Sequence, residues 1–126
     1  MCNALSDDVN DDHHEDDVYV CDSSEVLEGA TKALIIRNRR VVVWRDTAGD
    51  VHVWDDYCPH RGAELSSGQV MGCLIVCPSH GWRFDINGQL VVPLSASTPP
   101  HRTAVFARAH DAYEQDGAIR ARLKAF

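Results

Sequence analysis

Four residues near the middle of the chain have side chains that can hold a metal. Cys58 and His60 form a Cys-x-His pair, Cys77 and His80 form a Cys-x-x-His pair, and sixteen residues separate the pairs. Two thiolates and two imidazoles can close a tetrahedral zinc site. The order fits a zinc finger poorly. Such fingers take their cysteines from one knuckle and their histidines from a helix, whereas each segment here supplies one of each. A two-iron centre with two thiolates on one iron and two imidazoles on the other is better served by mixed pairs, if two loops approach it from opposite sides. On ligand types alone, zinc, the two-iron centre and a metal-free module all stay open.

The residues around these pairs narrow the choice. Cys58-Pro59-His60-Arg61-Gly62 and Cys77-Pro78-Ser79-His80-Gly81-Trp82-Arg83-Phe84-Asp85 resemble the two cluster-binding boxes of Rieske proteins, in particular Rieske-type ferredoxins and the Rieske domain of ring-hydroxylating oxygenases. Four ligands, two glycines and the spacing match, over about a quarter of the chain. The resemblance implies one [2Fe–2S] cluster per chain, bound by Cys58, His60, Cys77 and His80, with both sulfurs on one iron and both imidazoles on the other.

Departures from the quinol-oxidising branch of that family are informative. That branch joins its loops by a disulfide at the positions of Ala63 and Ser79, and donates hydroxyl hydrogen bonds to the cluster from the positions of Trp82 and Phe84. None of these four residues can do so. Donors to sulfur stabilise the extra negative charge of the reduced cluster, so their absence implies a potential near the lower end of the Rieske range, about −150 mV. The imidazoles are expected to be the exposed part of the centre. Loss of their outer protons would lower the potential at alkaline pH. Arg61 and Trp82 flank the ligands and are candidates for a docking surface; alternatively, Trp82 packs beneath the site and Arg61 pairs with an acid.

Length and charge bound the setting. A chain of 126 residues is one domain by prior. The net charge of −7 is concentrated at one end: residues 1–25 hold nine acidic groups and no Lys or Arg, leaving twelve basic against ten acidic groups in the rest. Residues 1–17 read as an acidic disordered tail, a solubilising leader or an arm that steers a basic partner. Its His13 and His14 are expected to be idle. Cys2, Cys21 and Cys73 read as free thiols, with Cys73 a small buried hydrophobe in the run Cys73-Leu74-Ile75-Val76. No stretch reads as a signal peptide or a membrane span, which points to a soluble cytoplasmic protein.

The remaining pattern is of short strands with breakers every six to ten residues, an antiparallel all-β domain. Strands are predicted at 18–21, 32–37, 40–45 and 51–55, with a helical turn at 23–29 and a tight connection at Asn38-Arg39. A hairpin over 69–76 turns at Gly72 and delivers Cys77; another over 85–90 turns at Asn87-Gly88. Residues 103–108 and 118–123 are read as a closing pair around Asp116-Gly117, and Pro93 to Pro100 as a loop covering the cluster. The architecture is a Rieske-type antiparallel β-sandwich base, 18–56 and 86–126, with a cluster-binding insert at 57–85. His52, alternating with Val51 and Val53, is placed on the solvent face, and His101 and His110 on the surface.

The expected chemistry is electron transfer. Oxygenase subunits with these boxes add a domain holding a mononuclear iron on two histidines and a carboxylate, which His101 and His110 are too far apart to reproduce. By itself the chain is therefore not expected to be an enzyme. The leading reading is a ferredoxin carrying single electrons from a flavin-dependent reductase to a terminal oxygenase, with no role for nucleic acid or membrane. A small subunit or detached Rieske component of a larger oxidoreductase, such as a nitrite reductase or an oxygenase, and a zinc-binding or metal-free structural module are the alternatives.

Overall fold

The computed structural model describes residues 17–59, 62–79, 81–92 and 101–124, with backbone alone for Val92 and residues 101–104. Residues 1–16 of the acidic tail, the Pro93–Pro100 segment and the side chain of His101 lie outside the described residues, whereas Asp17, expected as the last residue of the tail, is in a strand paired with Arg122.

Among the described residues, eleven strands form two antiparallel sheets. In chain order they are β1 (Asp17–Asp22), β2 (Thr31–Ile36), β3 (Arg39–Arg45), β4 (Val51–Asp55), β5 (Gln69–Met71), β6 (Leu74–Val76), β7 (Arg83–Phe84), β8 (Gln89–Val92), β9 (His101–Phe106), β10 (Ala109–Gln115) and β11 (Ala118–Arg122). The first sheet has the order β1-β11-β10-β4-β3-β2 and the second β5-β6-β7-β8-β9. The expected all-β architecture is what the chain adopts. Residues 86–106 contribute β8 and β9 to the second sheet, beside the strands that flank the Cys77 loop.

β3 sits where both faces are covered. Its run Val41-Val42-Val43-Trp44 is fully buried, and successive side chains point to opposite faces. Val42 and Trp44 face one core with Trp54, Leu65, Ile75, Phe84, Leu90 and both Cys58 and Cys77. Val41 and Val43 face a second core with Val20, Val26, Val53, Ile119 and Ala121. The first core joins the two sheets, and the second lies within the six-stranded sheet as it curls.

Several elements differ from expectation. The β2–β3 turn is at Arg37-Asn38, both at positive φ (52° and 66°), one residue before the predicted connection. β10 was not expected, and it, rather than residues 103–108, pairs with β11 around Asp116-Gly117; β9 pairs with β8. His52 is not on the solvent face: its Nε2 lies 2.8 Å from Oδ2 of the fully buried Asp46, and its ring packs on Trp44. His110 is likewise buried, 2.8 Å from Asp55. Cys73 falls in the β5–β6 turn, partly exposed, and is disulfide-bonded instead of free, whereas Cys21 is a free buried thiol. Among the described residues no helix is long and apolar enough to cross a membrane.

Candidate metal centre

β4 leads into the first loop and β6 into the second. Cys58 lies three residues past the end of β4, and Cys77 directly follows β6. Both cysteines are 1 % exposed, and neither is in a disulfide.

The two loops have a common hydrogen-bonded shape. Cys58 N–H donates to Ala63 O at 2.9 Å, and Cys77 N–H donates to Trp82 O at 2.7 Å, so each loop closes from its cysteine to the carbonyl five residues on. Four residues after each cysteine is a glycine at positive φ, Gly62 at 78° and Gly81 at 68°. L side chains rarely adopt that conformation, which accounts for glycine at both positions. At Gly62 the space is also taken: a Cβ there would lie 3.1 Å from the Tyr57 ring. Pro59 and Pro78 each fix φ one residue after the cysteine.

The thiols face one another closely enough to interact. Burial first, with neighbouring Cys58 adding to it, pushes the Cys77 thiol up to about 11, against the pull of Ser79 N–H, 3.4 Å from Cys77 Sγ. A metal must displace these protons, and the Ser79 N–H would remain as a donor to the bound sulfur. Two buried, unlinked, mutually facing thiols suit a soft metal centre that takes both sulfurs on one iron.

His60, Arg61 and His80 lie outside the described residues; in sequence the two histidines follow their cysteines by two and three positions. Trp82 is partly buried and packs against the core that contains both cysteines. Among the described residues no group of three or more His, Cys, Asp or Glu side chains is arranged to hold a different metal ion.

Sequence reasoning passed over Asp56, which is 2 % exposed. Its Oδ1 accepts from Ser66 N–H at 2.7 Å and its Oδ2 from Ser66 Oγ–H at 2.6 Å. The signal available was an acid two residues before Cys58, followed by Leu65-Ser66-Ser67-Gly68, a short turn that ends in glycine.

Comparison with known proteins agrees with this geometry. The family model described as Rieske [2Fe-2S] domain matches residues 16–106. The oxygenase component of 3-ketosteroid-9-alpha-monooxygenase from Rhodococcus rhodochrous is 36 % identical over 74 residues, 58 % of this chain and 19 % of the relative. The chain thus spans about a fifth of the length of that relative. Apo dicamba monooxygenase superposes with a TM-score of 0.75 at 28 % identity, covering 86 % of this chain and 33 % of the other. The ferredoxin of Sphingomonas yanoikuyae B1 superposes at 0.68 and 24 % identity, covering 85 % of this chain and 98 % of the ferredoxin, a likeness of fold. With 91 of its residues matched by that model and two buried thiols presented on twin loops, the chain belongs to the Rieske [2Fe-2S] domain family, an electron-transfer module that binds a single [2Fe–2S] cluster.

Proposed function

We propose that this chain is a one-electron carrier of the Rieske ferredoxin type, with Cys58 and Cys77 as ligands of one iron and His60 and His80 as ligands of the other. The carrying observation is the pair of buried, unlinked cysteines on loops of the same shape. A bound [2Fe–2S] cluster supplies reversible one-electron transfer. The residues of the chain do the rest. Cys58 and Cys77 lie in a core of Trp54, Leu65, Ile75 and Phe84 that keeps water from the sulfurs. The proline-stiffened, glycine-turned loops hold the ligands in place, so little rearrangement accompanies a change of charge. Trp82 and Phe84 offer no hydroxyl to the sulfurs, which favours a low potential, and the backbone N–H that Ser79 directs at Cys77 sulfur offsets this in part.

In this reading a flavin-dependent reductase supplies the electron and a terminal oxygenase receives it, with Arg61 and Trp82 at the docking surface. The module itself does not activate oxygen. The cytoplasm is the compartment proposed, with residues 1–17 as a tail ahead of the domain at 18–126. A second reading is the Rieske component of an oxygenase, favoured by the 36 % identity to an oxygenase component over 58 % of this chain.

The test is an anaerobic redox titration of the iron-loaded protein followed by electron paramagnetic resonance. The expected result is a rhombic Rieske signal that appears on reduction at negative potential, and is lost in Cys58→Ala and Cys77→Ala. A metal-replete protein without that signal overturns the reading in favour of a zinc or structural module. In a reconstituted Rieske dioxygenase system, substitution for the native ferredoxin supports the carrier; failure there, with the signal intact, favours the oxygenase component.

A further inference from the structure

The two cluster loops are joined by a bracket of residues that bear no ligand. Asp56 directly follows β4, the strand that leads to Cys58, and its carboxylate grips Ser66 through both oxygens, at 2.7 and 2.6 Å. Ser66 lies in the 3-10 turn Leu65–Ser67, whose Leu65 is fully buried in the core that contains Cys58 and Cys77. Thr31 Oγ–H donates to Ser66 O at 2.9 Å, tying the same turn to the edge strand β2. The turn ends at Gly68, and there the contact passes to the second loop. A Cβ on Gly68 would lie 1.9 Å from the carbonyl oxygen of Val76, the residue directly before Cys77. Gly68 has an ordinary extended backbone, so it is this close approach, and not a left-handed conformation, that requires glycine.

From this continuous contact, which rests on the proposed cluster-carrying function, we infer that Asp56 is a positioning residue: the Asp56–Ser66–Gly68 bracket sets the separation of Cys58 from Cys77, and the buried carboxylate tunes the reduction potential. Both carboxylate oxygens are held by hydrogen bonds from Ser66. A negative charge held in a nearly water-free position close to the first loop opposes the additional electron. The bracket's geometry and its charge are therefore separable. Asn at 56 can still accept from Ser66 N–H and meet Ser66 Oγ with its amide, without the charge. Ala at 66 keeps the charge and opens half of the bracket.

The experiment compares wild type, Asp56→Asn, Ser66→Ala and Ser66→Thr as iron-loaded proteins, by anaerobic redox titration and by paramagnetic line shape at matched cluster content. Asp56→Asn is expected to favour reduction about tenfold, a rise of about 59 mV for one electron, with the wild-type line shape. Ser66→Ala is expected to broaden the signal and to speed amide hydrogen exchange at position 66, and Ser66→Thr to restore both. Should Asp56→Asn not fold, the Ser66 pair decides through line shape and exchange. Wild-type line shape in Ser66→Ala, or a wild-type midpoint in folded Asp56→Asn, overturns the inference while the proposed function stands. Absence of a Rieske signal in wild type overturns that function and this inference with it.

Discussion

Protonating His110 would place a hydrogen on Nδ1, where the backbone N–H of Lys124 already donates at 2.9 Å. The ring is therefore held neutral, with its proton on Nε2 and directed at Asp55 Oδ1, 2.8 Å away. Burial pushes His110 below its usual value of 6.5; Asp55 works against the shift, and Arg39 and Lys124 add to it. A histidine whose folded value is depressed contributes stability that is fully present above about pH 6.5 and lost as the pH falls through the folded value. His110→Gln is expected to be less stable than wild type at pH 8 but to lose less on going to pH 5, as read from urea midpoints at each pH. A constant difference between the two proteins across that range would rule the coupling out. The same residue shows what was hidden in the sequence. Cys58, His60, Cys77 and His80 stood out because their types and short spacings suit a metal centre. His52 and His110 looked like surface residues because their partners, Asp46 and Asp55, are brought to them by strand pairing that local alternation does not encode.

The turn Leu65–Ser67 is three residues long, yet it connects the first loop to both sheets. Leu65 is fully buried and fills the space beside both cysteines. Leu65→Ala removes that packing and leaves a cavity at the cluster side of the core, so a loss of about 2–5 kcal/mol is expected. Equilibrium denaturation of the metal-free protein measures it without interference from iron content. A loss below about 1 kcal/mol would mean that the turn collapses into the space and is not a rigid spacer. Legibility at this scale followed the strength of the local pattern. The valine-rich β3 and the turns at Gly72, Asn87-Gly88 and Asp116-Gly117 were readable from β-branched runs and glycine. β10, Ala109-His110-Asp111-Ala112-Tyr113-Glu114-Gln115, was not, because only Tyr113 among its residues favours a strand. It is held between β4 and β11 by pairing across the chain. With β10 unseen, residues 103–108 were assigned to β11, whereas β9 belongs beside β8.

The two cores divide the labour of the molecule unequally. One lies within the six-stranded sheet and contains neither Cys58 nor Cys77; its Val20, Val41, Val43, Val53, Ile119 and Ala121 come from four of that sheet's strands. The other joins the sheets and includes both Cys58 and Cys77. The sheet that follows the first loop is built of short strands, with β5 and β6 of three residues and β7 of two, so it has few ladder bonds of its own. At the far end from the site, Thr47 N–H donates to Gly72 O at 3.1 Å, which tacks the β5–β6 turn to the β3–β4 connection. Removing the metal leaves two buried thiols in place of a shared centre and takes away the link between the loops. The expected consequence is local: in chelated protein the amides of β5 to β8 lose hydrogen-exchange protection, while those of β3, β4 and β11 keep theirs. Loss of protection at equal rates in both sheets would show instead that the ligand-free core cannot stand without the other, and that the metal supports the entire fold. Retention in both would show that the apolar packing around Trp54, Leu65, Ile75 and Phe84 suffices to hold the loops, in which case the site is preformed and metal binding adds little to stability.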